Sequence, residues 1–224
     1  MIGIVVFPGS NCEFDVQSAY AELGHESQLV SHREHSLDDY EAVIIPGGFS
    51  YGDYLRTGAI ARFSPIMEAV IRFANEGGRV LGICNGFQVL TEAGLLPGAL
   101  QRNAGLQFVC GEVLVRVEQT TSVLTAGLQV GEVLSLPINH FEGNYTADAE
   151  TLERLEAQGQ VVVRYVNNPN GSVHDIAGIA NLEGNVVGLM PHPERAGLGF
   201  GLSEPAKAML RSMLISTNHA LTAS

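Results

Sequence analysis

The segment Arg79-Val-Leu-Gly-Ile-Cys84-Asn-Gly-Phe-Gln-Val-Leu90 joins an apolar run to a cysteine that lies between two glycines. An amphipathic stretch follows, so the pattern predicts a buried strand, a sharp turn at Cys84 and a helix. This is the cysteine form of the nucleophile elbow, in which Gly82 and Gly86 leave room for a strained central residue. The positive end of the helix dipole would stabilise a thiolate there. These residues alone fit equally well a buried structural cysteine in an ordinary strand-to-helix turn.

Apolar runs and amphipathic stretches alternate around this elbow. The predicted strands of the first half cover 2–7, 27–30, 42–45 and 80–83, and the predicted helices cover 14–23, 63–75 and 87–93. Such alternation is typical of right-handed βαβ crossovers, and it predicts a flavodoxin-like three-layer α/β/α fold with a mostly parallel central sheet. Functional sites in such sheets lie beyond the carboxyl ends of the strands, where Cys84 and the segment Pro46-Gly47-Gly48 both fall.

The second half of the chain has a different pattern, with several alternating strands and few helices. Strands are expected at 108–117, 132–136, 161–165, 176–181 and 186–190, and helices at about 148–158 and 204–215. This predicts antiparallel additions to the parallel core. No linker or repeat divides the chain, so we expect a single domain over 1–224.

Composition narrows the functional classes. The net charge of −12 disfavours nucleic acid and anionic membranes as partners. The three cysteines are far apart in sequence and no histidine pair has helical ligand spacing, so we expect neither a disulfide framework nor a metal site. The first apolar run has no basic residues before it and is interpreted as a strand rather than a signal peptide. A cytoplasmic location is therefore expected.

A nucleophilic cysteine needs a base, and the segment Pro191-His192-Pro193-Glu194 supplies a candidate directly after a predicted strand. Pro193 favours an extended conformation at His192, which would bring the Glu194 carboxylate to the same side as the imidazole. Glu194 could then orient the ring as the acid of a catalytic triad does. The alternative is that two prolines only end the strand and that His192 is a loop residue.

Acyl chemistry also needs donors for an oxyanion. The backbone N–H of Asn85 and that of Gly48 are candidates, although Gly47-Gly48 could equally be a simple strand-ending turn. The polar continuation over 49–53 is expected to form a mobile loop over the site. The remaining histidines are weaker candidates: His25, His32 and His35 are expected at the surface, His140 and His174 in loops, and His219 in the tail.

The two catalytic segments together, Gly82-Ile-Cys84-Asn-Gly86-Phe-Gln88 and Pro191-His192-Pro193-Glu194, resemble the triad-type (class I) glutamine amidotransferases. The resemblance runs from about residue 2 to 216. It is strongest to one branch of that family, through Phe7-Pro-Gly-Ser-Asn-Cys12, 46–56, 94–98 with Arg102-Asn103, 170–178 and 188–195. Members of that branch supply ammonia to the amidation of formylglycinamide ribonucleotide in purine biosynthesis.

The resemblance implies a role for each matching residue. Cys84 would attack the side-chain amide of glutamine, His192 would transfer protons and Glu194 would orient it. Gly48 and Asn85 would hold the oxyanion. The glutamine pocket would be lined by Gln88, Arg102 and Asn103. One departure is Phe141, which stands in the segment His140-Phe-Glu-Gly where the family has glycine.

The resemblance also implies how labour is divided between chains. A large ATP-dependent synthetase subunit would use Mg-ATP and receive the ammonia, and a small bridging subunit would complete the complex. This chain has no phosphate-binding G-x-x-x-x-G-K-[ST] loop and is expected to bind no cofactor itself.

Two other functional classes remain open at this level. A stand-alone Cys-His hydrolase of the same fold would turn over without a partner. A non-catalytic binding or chaperone module would tolerate loss of His192 or Glu194, both of which are present here.

Overall fold

The computed structural model of the chain describes residues 1–197 and 201–215, so the position of His219 lies outside the described residues. The strands are β1 (Ile2–Val6), β2 (Ser27–Ser31), β3 (Ala42–Ile45), β4 (Arg79–Ile83), β5 (Ala99–Gln101), β6 (Val109–Val117), β7 (Val133–His140), β8 (Asn144–Thr146), β9 (Val161–Tyr165), β10 (Ile176–Ala180) and β11 (Val186–Leu189). The helices are α1 (Glu13–Glu22), α2 (Pro65–Asn75), α3 (Asn85–Glu92), α4 (Ala149–Ala157) and α5 (Glu204–Ser212).

Nine of these strands form one sheet in the order β2-β1-β3-β4-β11-β10-β9-β6-β7. The first five in this order pair in parallel. The central strands β3, β4 and β11 are continuous apolar runs that are almost entirely buried, as is usual where helices cover both faces of a parallel sheet. The carboxyl ends of β4 and β11 therefore lie side by side, which brings the segments after Ile83 and Leu189 together.

The other four strands, β10, β9, β6 and β7, extend the sheet by antiparallel pairing. This confirms the flavodoxin-like three-layer prediction with antiparallel additions in the second half. The strand β7 runs to His140, four residues beyond its predicted end at Leu136, through Pro137. Proline is tolerated there because β7 is the last strand of the sheet, and the Pro137 carbonyl points away from β6 to accept a hydrogen bond from His192 N at 2.8 Å.

Two further differences from the sequence prediction have local causes. The helix α2 begins at Pro65 rather than at 63, because Ser64 is extended and the proline fixes the first turn. Phe63 therefore lies in a preceding 3₁₀ turn, 75% exposed, instead of in the core. The short strands β5 and β8, which carry no alternating apolar pattern, form a separate two-stranded sheet that was not predicted.

The side chains of Phe87 in α3 and Tyr145 in β8 stack with their ring centroids 5.9 Å apart. Both rings are fully buried, so this contact fixes the small sheet against the helix that follows Cys84. Among the helices of the described ranges, none combines the length and the apolar character that crossing a bilayer requires.

Candidate active site

Cys84 lies between β4 and α3 with φ 52° and ψ −104°, a backbone conformation that residues other than glycine rarely adopt. Its backbone N–H donates to the carbonyl of Leu189 at 2.7 Å, which ties the turn to the end of β11. The flanking glycines are sterically required. A Cβ on Gly82 would lie 2.6 Å from the backbone of Gly86, and a Cβ on Gly86 would overlap the Ile45 carbonyl oxygen. The strained turn predicted from the sequence is thus present.

His192 lies three residues beyond the end of β11 and is buried with Glu194. The Nδ1 atom of His192 lies 2.6 Å from Oε1 of Glu194, and both side chains are almost inaccessible to solvent. Burial opposes the imidazolium, but the Glu194 carboxylate and the negative charge that Cys84 carries as a thiolate outweigh it and hold the pKa of His192 well above its ordinary value. The carboxylate also selects the tautomer with hydrogen on Nδ1, so Nε2 is free to exchange a proton.

The thiols of Cys12 and Cys84 both lie near the His192 ring and influence its ionisation, and Nε2 has no hydrogen-bond partner among the described residues. The Cys84 thiol also lies 3.8 Å from the carbonyl oxygen of Asn139 in β7, a weak acceptor contact. The two segments predicted to be catalytic, at Cys84 and at His192-Pro193-Glu194, therefore meet at one site.

One combination of side chains could hold a metal ion among the described residues. Cys12, His192 and Glu194 offer ligand atoms that all lie within 4.8 Å of one another. A metal bound through all three would compete with the hydrogen bond between His192 and Glu194. The expectation that the site works without a metal stays a prediction.

Gly48 is held beside Cys84 by the loop over residues 8–12. Ser10 and Gly48 form an antiparallel bridge, and the N–H groups of Asn11 and Cys12 donate to the Gly47 carbonyl at 3.3 and 3.2 Å. Gly48 has φ 151°, and a Cβ there would lie 2.7 Å from the Cα of Ser10. This close contact requires glycine.

The segment after Gly48 is anchored at several points. Ser50 N–H donates to Oδ1 of Asn85 at 3.1 Å, and Asn85 Nδ2 donates to Oε1 of Gln88 at 2.9 Å. Farther along, Arg56 makes two hydrogen bonds of 2.5 and 2.6 Å to the Glu92 carboxylate. The segment borders the site as expected, whereas its mobility stays a prediction.

These elements enclose a cavity of about 310 Å³ beside Cys84 and His192. It contains two residues predicted from the resemblance as glutamine contacts, Gln88 and Arg102. The complete lining is Asn11, Cys12, Gly48, Phe49, Asp53, Thr57, Cys84, Gln88, Arg102, Asn139, His140, Phe141, Glu142 and His192. The volume and the few convergent polar groups are typical of a site for a small molecule.

Asn103 does not border this cavity. Its side chain lies behind the wall, where Nδ2 donates to the carbonyls of Gln107 and His140 at 2.9 and 3.0 Å. Oδ1 is 3.0 Å from Nδ1 of His140 and accepts from Gly143 N–H at 3.1 Å. The structure thus gives Asn103 a supporting position, because its amide is fully engaged in shaping the segment that follows β7.

His140 was expected in a loop, but it is the last residue of β7 and its buried ring lines the cavity. Burial, and to a lesser degree the charge of His192, lower the pKa of His140 to about 4, so the ring is neutral at physiological pH. Sequence analysis missed this position because His140 is far from Cys84 along the chain. Two features could have predicted it: the apolar alternation of β7 continues through Pro137, and the segment His140-Phe-Glu-Gly follows.

Comparison with known proteins agrees with this geometry. A family model described as a CobB/CobQ-like glutamine amidotransferase domain matches residues 1–212. The chain is 60% identical over 194 residues to phosphoribosylformylglycinamidine synthase subunit PurQ of Lacticaseibacillus paracasei, covering 86% of this chain and 85% of that protein. It is 55% identical over 219 residues to the subunit of the same name from Synechococcus elongatus, covering 92% and 99% respectively.

A solved structure, that of PurLQS from Thermotoga maritima, contains a chain with the same fold. The TM-score is 0.87 at 43% sequence identity, over 95% of this chain and 96% of that one. The chain therefore belongs to the CobB/CobQ-like glutamine amidotransferase family and, within it, to the family of phosphoribosylformylglycinamidine synthase subunit PurQ.

Proposed function

We propose that this chain hydrolyses glutamine to glutamate and ammonia through a thioester on Cys84, and that the ammonia passes to a separate synthetase. The observation that carries the proposal is that Cys84 and His192 line one cavity, while the buried Glu194 carboxylate is hydrogen-bonded to the far side of the His192 ring. A strained nucleophile, a base and a buried orienting carboxylate are the parts that acyl transfer requires.

In the first half of the reaction, Sγ of Cys84 attacks the side-chain carbonyl carbon of glutamine. The thiol proton moves to Nε2 of His192, and the oxyanion is held by the backbone N–H groups of Gly48 and Asn85. The carbon–nitrogen bond then breaks. His192 returns its proton to the departing nitrogen, which leaves as ammonia, and the γ-glutamyl thioester remains on Cys84.

In the second half, water takes the place of ammonia. His192 accepts a proton from water while the oxygen of that water attacks the thioester carbon. The carbon–sulfur bond then breaks and glutamate is released. The proton on His192 then restores the Cys84 thiol. Glu194 remains ionised throughout and stabilises the imidazolium that forms twice in each cycle.

The partner in this proposal is a large synthetase subunit that uses Mg-ATP to convert formylglycinamide ribonucleotide to formylglycinamidine ribonucleotide. A small bridging subunit completes the complex, and the reaction takes place in the cytoplasm. The chain acts as a single domain and binds no cofactor. Exposed apolar side chains beside the cavity support a protein partner: Phe49 lines it, and Tyr54 and Leu55 follow at 72% and 81% exposure.

The test is a reconstituted mixture of this chain, the synthetase subunits, formylglycinamide ribonucleotide, Mg-ATP and glutamine. Glutamate and amidine product should form in equal amounts, and Cys84→Ala should abolish both. The same variant should keep ammonia-dependent synthesis. Glutamine hydrolysis that is indifferent to the synthetase would instead support a stand-alone hydrolase, and equal loss of the ammonia reaction would contradict the division of labour.

A further inference from the structure

Two carboxylates, those of Asp53 and Glu142, border the cavity that contains Cys84. Glu142 is balanced by its neighbours: one oxygen accepts from the Thr57 hydroxyl, and the other lies 3.5 Å from Nε of Arg102. Asp53 is not balanced. Its oxygen Oδ1 is buried without a hydrogen-bond partner in the described part of the chain, and none of the described cationic side chains pairs with it. A buried carboxylate oxygen of this kind requires a donor.

The backbone that presents Asp53 is held in an unfavourable conformation. Tyr51 and Asp53 have φ values of 54° and 52°, in the left-handed region that costs residues other than glycine about 1–2 kcal/mol each. The turn is fixed by surrounding contacts: Tyr51 N–H donates to the Pro8 carbonyl at 2.6 Å, and the Tyr51 hydroxyl lies 2.8 Å from Oγ of Ser64. Strain that persists under such restraint is common where a side chain must be aimed at a ligand.

The local electrostatics favour a cation at this position. Burial and the repulsion of Glu142 raise the pKa of Asp53 to about 6. The carboxyl group is therefore ionised at neutral pH, and this ionisation costs free energy when no cation lies beside it. A positively charged group beside Asp53 would remove that cost. Glutamine, the substrate in the proposed function, carries one such group, its α-ammonium.

We propose that the Asp53 carboxylate binds the α-ammonium group of glutamine, and so selects the free amino acid over amides in which that group is missing or acylated. This assignment rests on the proposed function. It makes Asp53 a specificity-determining residue that is distinct from the reacting groups. Arg102, 70% exposed at the same cavity, is placed to meet the α-carboxylate of the same molecule.

The expected effect of removing this charge follows from the free energy that a hydrogen bond between charged groups contributes to binding. Asp53→Asn keeps the size and shape of the side chain but not its charge. We expect kcat/KM for glutamine to fall by about ten- to a hundredfold. Amides without an α-ammonium group do not use the contact, so their kcat/KM should change by less than about twofold.

The experiment uses the reconstituted complex and compares glutamine with glutaramate, the same amide without the α-amino group. The wild type should strongly prefer glutamine, and Asp53→Asn should lose most of that preference. Ammonia-dependent synthesis reports that the synthetase is active in each mixture. If glutaramate is turned over too slowly, competitive inhibition by glutamate and by glutarate gives the same comparison, since these products differ in the same group.

A matched control is Glu92→Gln, which weakens the anchoring of Arg56 without touching the cavity. Any effect of a loosened segment should appear equally for both amides in this control. Equal losses for both amides in Asp53→Asn, or no loss for glutamine, would overturn the assignment. Failure of the proposed function is read from a different variant, because it would appear as glutamine hydrolysis that survives Cys84→Ala.

Discussion

Gly47 faces His192 so closely that a methyl group on Gly47 would lie 2.7 Å from the ring carbon Cε1. Gly47, two residues beyond the end of β3, therefore sets the position of the base as well as the path of the backbone beside Cys84. Because the ring is fully buried and already hydrogen-bonded to Glu194, it has little room to move away.

Gly47→Ala should therefore displace the imidazole and lower glutamine turnover by about a hundredfold, since misplacement by about 1 Å has effects of that size. Ammonia-dependent synthesis in the complex should be retained, because it does not use His192. Gly105→Ala is the matched control, as a methyl group there meets no atom within 4 Å. Normal glutamine turnover in Gly47→Ala would show that the ring tolerates the displacement.

Glu194→Gln should lower glutamine turnover by about two orders of magnitude, the usual contribution of positioned acid–base catalysis. It removes the charge that holds the pKa of His192 up, so that pKa should fall. Turnover in single-turnover assays and the titration of the ring by NMR test the two effects separately. A variant with unchanged turnover would exclude Glu194 from the catalytic set.

The backbone at Cys84 should make the nucleophile costly to the fold. A residue held at φ 52° and ψ −104° loses about 1–3 kcal/mol of stability, whereas glycine adopts this conformation without strain but has a larger entropy of unfolding. We expect Cys84→Gly to be about 1 kcal/mol more stable than Cys84→Ala. Neither variant has the nucleophile, so both are compared by their free energy of unfolding in urea rather than by activity. Equal stability would mean that the strain at Cys84 is no larger than the entropic cost of glycine.

Asp53→Asn should stabilise the protein in a pH-dependent way. The pKa of Asp53 is raised from 3.8 to about 6, so wild-type stability decreases as the pH rises through that interval. The gain in the variant should be complete above about pH 6 and absent below about pH 4. Solvent screening at a half-exposed group limits it to on the order of 1 kcal/mol. Melting temperatures at pH 7.5 and pH 4 test the sign, and a gain that is equal at both would contradict it.

Local sequence patterns predicted the parts of the molecule that depend on near neighbours. The continuous apolar runs of β3, β4 and β11 could be recognised because strands buried on both faces need no polar residues. The elbow at Cys84 and the pair His192 and Glu194 are each confined to a few residues. Their spacing in the sequence was therefore enough to predict a nucleophile, a base and an orienting carboxylate.

The rest of the site could not be read locally because long-range pairing assembles it. His140 reaches the cavity only because β7 pairs with β6 over its full length, through a proline that looked like the end of a strand. Asp53 is aimed inward by a strained turn that no propensity predicts. Asn103 matched the family pattern, yet its amide is used to hold His140.

Pro137 has one more consequence, for the behaviour of the protein at high concentration. An exposed sheet edge invites pairing with another molecule, and β7 is such an edge. At its middle, however, Pro137 has no N–H to offer and its carbonyl is occupied by His192 N–H. A strand of another molecule that paired with β7 would lack two backbone hydrogen bonds at that point. Pro137, through which β7 continues to the active site, therefore also protects this edge against aggregation.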